Sequence, residues 1–142
     1  MTKTMEARPL YASEGDPALK GYYPKWLDNL AEDATLEGSM IEGVVNGAQG
    51  VRAVVSTIRS LYDRQAHQFA GPYVGGFLEE YAAVIRGEPI GCVVVVKYNA
   101  AGKTQHVVAS YRPRRAVIHF AQLLAEKFAG TPIGEVFAET SR

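Results

Sequence analysis

The spacing of apolar residues predicts several helices in this chain of 142 residues. Over Ala48–Arg64 apolar side chains recur at intervals of three and four residues, which places them on one face of an amphipathic helix. The same spacing predicts a final helix over Arg115–Ala129. A first helical stretch is predicted to begin at Asp16–Pro17, because proline is favoured in a first turn, and to kink at Pro24.

The most informative apolar run lies in a predicted hairpin near the end of the chain. Its strands are Cys92–Tyr98 and Thr104–Tyr111, and the turn between them is Asn99–Gly102, since Asn and Gly tolerate the backbone angles of tight turns. Successive side chains of a strand point to opposite faces, so the four consecutive valines Val93–Val96 need apolar cover on both. The chain's own helices cover one face, and the other requires a second source of cover.

The remaining strands complete an α+β design. They are predicted at Ala34–Glu37, Met40–Val45, Gln65–Ala70 and Phe77–Arg86. Helices on one side of a curved antiparallel sheet enclose a pocket, and such pockets are favoured ligand sites. We expect an N-terminal arm over 1–15, a domain over 16–112, and a C-terminal helix and tail over 113–142 that belong to the same domain.

Composition and charge exclude several functional classes. Fifteen basic and fifteen acidic residues give a net charge of zero, without the basic stripe that nucleic acids or anionic membranes require. Cys92 is the only cysteine, so neither an internal disulfide nor a cysteine-based zinc site is possible. His67, His106 and His119 lack the spacing of metal ligands. We therefore expect a cytoplasmic protein without a metal or other cofactor.

Four short motifs then carry a resemblance to a known superfamily. They are AEDATLEGS (31–39), NGAQGVRAVV (46–55), RGEPI (86–90) and YNAAGKTQHV (98–107). In order and spacing they resemble the nuclear transport factor 2-like superfamily, and most of all its SnoaL-like and ketosteroid-isomerase-like branch. The resemblance implies a cone-shaped curved sheet with helices packed on its concave face. The extra C-terminal helix departs from the shorter members, and the sequence leaves open whether it lids the cone, covers the outer sheet face or crosses to a partner.

The same resemblance argues against the known activities of that branch, because their catalytic acids are missing. The two acids of the isomerase map by resemblance to Gly38 and near Val94, and the acid of the SnoaL-like cyclase maps near Ala109. None of the three residues is a carboxylate, and an apolar side chain cannot accept a proton. Neither mechanism is therefore expected in its usual form.

The alignment with that branch also predicts which side chains face into the cone. The ligand pocket is predicted to be lined by Trp26, Leu27, Leu30, Ile58, Tyr62, Phe69, Val94, Val96, Val107, Ala109 and Tyr111. The candidate catalytic group adds His67 as a general base, Glu79 as its orienting partner or an acid, and Tyr81 as a hydrogen-bond donor. His67 and Glu79 are predicted to lie directly opposite each other on adjacent strands. Equally, a histidine facing a buried carboxylate is often a structural pair.

Two functional hypotheses follow from this pocket. In the first, a homodimer binds a small, largely apolar molecule in its cone, with cofactor-free proton transfer of the isomerase, dehydratase or cyclase type. In the second, the protein is a non-catalytic ligand-binding or assembly module in which the His–Glu pair is structural. In both, a second copy covers the outer valines Val93, Val95 and Val108.

Overall fold

A single six-stranded sheet organises the molecule in the computed structural model, which describes residues 8–137. Three α-helices accompany it within these residues. The elements are β1 (Leu30–Gly38), β2 (Val45–Asn46), α1 (Ala48–Leu61), β3 (Arg64–Tyr73), β4 (Gly76–Ile85), β5 (Glu88–Tyr98), β6 (Thr104–Arg112), α2 (Arg114–Lys127) and α3 (Gly134–Phe137). The fold is α+β, as predicted, and the hairpin formed by β5 and β6 stands at its centre.

The sheet is mixed rather than wholly antiparallel. Its strand order is β2-β1-β6-β5-β4-β3, and β3 to β6 form an antiparallel meander. β1 instead pairs parallel with β6. The chain between β1 and β6 contains α1 and three long strands, which is ample for the crossover that a parallel pair requires.

The valines of β5 divide between the two faces of the sheet. Val94 and Val96 are 5% and 0% exposed and belong to the core that lies between the sheet and α1. Val93 and Val95 point the other way and remain half-buried. The inner face is therefore covered by the chain itself, as the spacing predicted.

The predicted first helix is wrong. The segment forms two short 3₁₀ turns, Pro17–Leu19 and Lys25–Asp28, because its prolines and Gly21 interrupt a continuous hydrogen-bond ladder. A further such turn, Leu10–Ala12, precedes it in the predicted N-terminal arm. Leu30, predicted on a helical face, instead begins β1. The predicted strand Met40–Val45 is reduced to Val45–Asn46.

Part of the segment predicted as a loose N-terminal arm packs on the outer sheet face. Tyr11 lies over Gly91, where a Cβ atom would come within 2.6 Å of the tyrosine Cβ. The Gln68 side chain also donates to the Leu10 carbonyl, and the Asp16 amide donates to the His67 carbonyl over 2.7 Å. Only a glycine at position 91 permits this approach of the arm to the sheet.

Phe69 does not face into the cone, contrary to prediction. β3 carries a bulge at Gln68, because His67 pairs with Tyr81 whereas Phe69 pairs with Glu80. The extra residue reverses the facing of everything that follows it on the strand. Phe69 therefore lies on the outer face and is 47% exposed.

The C-terminal helix α2 packs at one end of the cone. Its Phe120 ring lies 6.0 Å from the ring of Tyr62 and 5.9 Å from that of Tyr111, both of which belong to the inner side. Of the three positions left open by the sequence, the structure thus selects the lid. The tail continues into α3, where Phe137 stacks on Phe128; the rest of the predicted tail, residues 138–142, lies outside the described part. Within residues 8–137 no helix has the length and apolarity needed to cross a membrane.

Candidate functional site

A small cavity lies between the inner sheet face, α1 and the turn that carries Trp26. Its volume is about 40 Å³, which holds roughly three water molecules and is less than the ~150 Å³ that accommodates a benzene-sized ligand. Its wall is largely apolar, and its polar side chains are Arg59, Gln65, Glu79, Tyr81 and Tyr111. The cone is therefore mostly filled by its own side chains.

The predicted pocket residues divide into three groups. The cavity wall contains Trp26, Ile58, Val94, Val107, Ala109 and Tyr111. The neighbouring core contains Leu27, Leu30, Val96 and Tyr62. Phe69 alone belongs to the outer face, for the reason given above.

Glu79 is the carboxylate on the cavity wall. It is 2% exposed, and its Oε2 accepts hydrogen bonds from the Tyr22 hydroxyl and the Trp26 indole N–H, both over 2.6 Å. Its Oε1 lies 3.6 Å from His67 Nε2, which is beyond hydrogen-bonding length. One oxygen is thus held in place by two donors, while the other has no hydrogen bond from the described residues.

His67 lies behind Glu79 rather than on the cavity wall. It is 6% exposed, and its ring contacts those of Tyr22 and Tyr81 at centroid distances of 4.6 and 5.0 Å. The two residues share the inner face, but they are diagonal neighbours, because His67 pairs with Tyr81 and Glu79 pairs with Ala70. Their predicted placement directly opposite each other is therefore wrong by two residues of register. His67 Nε2 has no hydrogen-bond partner among the described residues.

A second polar cluster is made of three tyrosine hydroxyls. Tyr62 Oη lies 2.6 Å from Tyr81 Oη and 3.2 Å from Tyr111 Oη, and the latter two are 3.4 Å apart. Burial raises the pKa of Tyr81 and of Tyr111 well above the ordinary tyrosine value, and it raises that of Tyr62 as well. These hydroxyls keep their protons at neutral pH and act as hydrogen-bond donors.

Cys92 lies beside this tyrosine cluster and is fully buried. Burial raises the pKa of its thiol to about 12, an effect that hydrogen bonds with Tyr81 and Tyr111 partly offset. A thiol that remains protonated at neutral pH is a poor nucleophile. The only cysteine of the chain is therefore a packing residue of the core.

Sequence reasoning missed two residues of the site. Tyr22 lies in an irregular segment whose sequence has no period, and only its contact with Glu79 reveals it. Arg59, a charged residue of the helix predicted over Ala48–Arg64, lines the cavity, and its guanidinium lies 5.2 Å from the centroid of the Tyr23 ring. Because Arg59 ends α1 on the edge of the apolar stripe, its spacing alone does not separate cavity from solvent.

The other ionisable candidates lie away from the cavity wall. His106 pairs with Glu37 over 2.9 Å on the outer face, and His119 on α2 pairs with Glu88 over 3.1 Å. Asp33 accepts a hydrogen bond from Gln105 over 3.0 Å. Across residues 8–137 no group of three or more His, Cys, Asp or Glu side chains is arranged to hold a metal ion.

The positions that the resemblance assigned to acids all reach the cavity. Gly38, Val94 and Ala109 line its wall, and none can exchange a proton. Among the described residues on that wall, Glu79 is the only carboxylate. Any proton transfer in this cavity therefore has to use a different strand position from those of the enzymes that the chain resembles.

Comparisons with known proteins find the fold but no sequence relative. Neither the protein-family models nor the curated proteins give a significant match. Among solved structures, a Silicibacter pomeroyi protein with a cystatin-like fold matches at 15% identity and TM-score 0.69, covering 74% of each chain. A steroid delta-isomerase from Pseudomonas aeruginosa matches at 14% identity and TM-score 0.67, over 72% of this chain and 77% of that one.

A third solved structure bears the name of the fold. An NTF-2 like protein from Burkholderia xenovorans matches at 16% identity and TM-score 0.52, over 63% of this chain and 73% of that one. The chain thus has the nuclear transport factor 2-like fold, as its four motifs predicted. At these identities the likeness concerns the fold alone.

Proposed function

We propose that this protein binds a small, largely apolar molecule in its cone and moves a proton with Glu79, without a cofactor. The observation that carries the proposal is a nearly fully buried carboxylate on an apolar cavity wall, with one oxygen anchored by two donors. A positioned carboxylate in an apolar site is a suitable general base. One of the similar structures, the steroid delta-isomerase, is an isomerase of the same fold.

The geometry assigns roles that differ from those expected. Glu79 lines the cavity and is the base, Tyr22 and Trp26 position it through their hydrogen bonds, and His67 lies behind it. In an isomerisation, Glu79 takes a proton from a carbon next to a carbonyl group, and the electron pair of that bond moves toward the carbonyl oxygen. The Tyr81 hydroxyl donates a hydrogen bond to this oxygen, and Glu79 then returns the proton to another carbon.

The tyrosine cluster holds the Tyr81 hydroxyl in place as the hydrogen-bond donor to this oxygen. Its hydroxyl is held by Tyr62 over 2.6 Å, and Tyr111 lies within 3.4 Å. Because all three are donors with raised pKa values, the cluster places a proton donor on the cavity wall, two residues along β4 from the proton acceptor Glu79. Such a pair favours chemistry in which negative charge develops on an oxygen.

Deuterium exchange provides a test that needs no knowledge of the substrate. The protein is incubated with acetone in heavy water, and loss of the α-proton signals is followed by proton NMR. Exchange should be faster than in buffer, and Glu79→Gln should reduce it by about a thousandfold. Tyr81→Phe should reduce it by about a hundredfold. Glu80→Gln is the matched control, since Glu80 pairs with Arg112 on the outer face over 2.7 Å and should leave exchange unchanged.

A second candidate function is favoured by the size of the cavity. At about 40 Å³ the cone is nearly filled, as expected of a non-catalytic ligand-binding or assembly module in which Glu79 and His67 are structural. Exchange at the buffer rate for wild type and Glu79→Gln alike would select this module. Mass spectrometry of molecules released on denaturation then separates ligand binding from assembly.

We also propose that a second copy of the chain covers the outer sheet face. Val93, Val95 and Val108 stay half-buried there, and apolar strand positions of this kind are typical of interfaces. Val95→Glu should give a monomer or an aggregate in light scattering. Val74→Glu, at a hairpin tip where Val74 is fully exposed, is the control that should keep the wild-type mass.

A further inference from the structure

A second, larger concavity adjoins the cavity on the inner side of the sheet. It is a groove of about 490 Å³ lined by Tyr22, Tyr23, Lys25, Trp26, Phe77 and Tyr98. Five of these six side chains are aromatic, and Tyr23 and Tyr98 are 42% and 37% exposed. Aromatic side chains exposed together on a concave surface are typical of binding sites. This aromatic groove has roughly ten times the room of the cavity.

Trp26 and Tyr22 join the aromatic groove to Glu79. Trp26 lines both the groove and the cavity, and its indole N–H donates to Glu79 Oε2. Tyr22 lines the groove and donates to the same oxygen. The carboxylate thus lies one side chain behind the groove, so a ligand in the groove reaches the base by displacing a single aromatic ring.

The charges beside the groove are mainly positive. Lys25 lines it, and the Arg59 guanidinium lies over the Tyr23 ring. Neither cation has an ion-pair partner among residues 8–137. Two anions are nearby: Asp28 is occupied by the Tyr23 hydroxyl over 2.8 Å and by Arg52 over 3.7 Å, and Glu79 lies behind Tyr22 and Trp26, which donate to it. An anionic group on the ligand therefore complements this rim.

We infer that the aromatic groove binds a planar aromatic carboxylate, with its ring between the aromatic side chains and its anionic group at Lys25 and Arg59. This inference rests on the proposed function in one respect only, namely that such a molecule is the class of substrate offered to Glu79. The body of the ligand occupies the groove, because the cavity is too small for a ring. Only a small uncharged substituent on its ring passes Trp26.

Binding to the groove can be measured with three matched probes. These are naphthoate, its uncharged amide and the saturated decalin carboxylate. Trp26 is the only tryptophan in the chain, so the resonance of its indole N–H reports on the groove in heteronuclear NMR. Naphthoate should shift this resonance to saturation, the amide should bind several-fold more weakly, and the decalin compound should bind at least about tenfold more weakly.

Two variants and two controls locate the site. Tyr98→Ala should weaken naphthoate binding roughly tenfold through lost stacking, and Lys25→Gln roughly threefold, with less dependence on salt. The controls Phe69→Ala and Lys103→Gln remove an exposed aromatic ring and an exposed cation elsewhere, and they should not change the affinity. Equal affinity for naphthoate and the decalin compound, or an equal loss in Phe69→Ala and Tyr98→Ala, would overturn the inference.

A competition experiment separates this inference from the proposed function. Naphthoate should inhibit the exchange of acetone competitively, since it fills the groove through which acetone reaches Glu79 past Trp26. Saturable naphthoate binding that leaves the exchange rate unchanged would show that the groove does not serve Glu79, and would overturn the substrate class. If no exchange were observed but naphthoate still bound in a Tyr98-dependent way, the proposed proton transfer would be wrong. The inference that the groove binds an aromatic carboxylate would still hold.

Discussion

The inner sheet face carries two buried polar clusters that differ in how completely their atoms are paired. In the tyrosine cluster, Tyr62, Tyr81 and Tyr111 bond to one another through three hydroxyl contacts. In the carboxylate cluster, Glu79 has two donors on one oxygen and, among residues 8–137, none on the other, and His67 Nε2 has no partner among these residues. Buried polar atoms are nearly always paired, so an unpaired one calls for an explanation.

The difference indicates which cluster meets a ligand. Hydroxyl groups both donate and accept, so three of them satisfy one another without outside help. A carboxylate and an imidazole at 3.6 Å are too far apart to do so, yet both are nearly inaccessible to solvent. The hydroxyls of the tyrosine cluster are thus paired with one another even without a ligand, while the carboxylate cluster retains the capacity to bind or exchange a proton.

The largest expected effect comes from removing the acceptor of the carboxylate cluster. Glu79→Leu leaves the Trp26 indole N–H and the Tyr22 hydroxyl without their acceptor, and should lower the free energy of unfolding by about 3 kcal/mol. Glu79→Gln keeps an oxygen in place and should cost about 1 kcal/mol. Urea unfolding measures both. If the two variants were equally stable, the two hydrogen bonds to Oε2 would not hold the cluster together.

An intermediate effect is expected from alkaline pH, which tests the other cluster and its neighbour. Burial raises the pKa of Cys92 from 9.0 to about 12, so the folded chain holds this proton more tightly than the unfolded chain. Its contribution to stability is full below about pH 9 and is lost as the pH rises from there toward the folded pKa. The urea midpoint should therefore fall from about pH 9 upward.

Cys92→Ala is the control for that pH dependence. It removes one titrating group, and the fall of the midpoint above about pH 9 should be shallower than in the wild type. The remaining slope belongs to the buried tyrosines, whose pKa values are raised in the same direction. A midpoint that stays flat into the alkaline range would contradict the burial of these groups.

The smallest effect is expected within the tyrosine cluster. Tyr81→Phe removes one hydroxyl, but Tyr62 and Tyr111 remain 3.2 Å apart and continue to pair. The free energy of unfolding should fall by about 1 kcal/mol. Tyr62→Phe removes the hydroxyl with the two shorter contacts and should cost somewhat more. The reverse order in thermal or urea unfolding would mean that Tyr81 is the centre of the cluster.

Most of the fold was predictable because its elements are periodic. The helix at Ala48 and the hairpin of β5 and β6 follow from local spacing and turn chemistry, and the structure confirms both. The prediction of a first helix was wrong, since its apolar residues belong to two separate turns and to the start of β1, whose arrangement depends on contacts with the sheet. A pattern of spacing carries no information on where an irregular segment finds its partners.

The candidate site was predictable only in part, and the bulge in β3 shows why. His67, Glu79 and Tyr81 do share the inner face, which alternation along the strands indicated. The bulge at Gln68 then moved Phe69 to the outer face, and a strand register two residues from the predicted one made His67 and Glu79 diagonal neighbours. One inserted residue cannot be recognised from composition or periodicity, although it reverses the sheet face to which every later side chain of the strand points.

The sequence by itself determined the α+β class, the order of the strands along the chain, and the need for cover on both faces of Val93–Val96. Those features depend on neighbours a few residues apart, which a single chain displays directly. Only the tertiary structure decided that Glu79 lines the cavity while His67 lies behind it, and that Tyr22, Trp26 and Tyr98 meet in one groove. The hydrogen bonds from Tyr22 and Trp26 to Glu79 join residues more than fifty positions apart, and they depend on strand register and loop path rather than on local spacing.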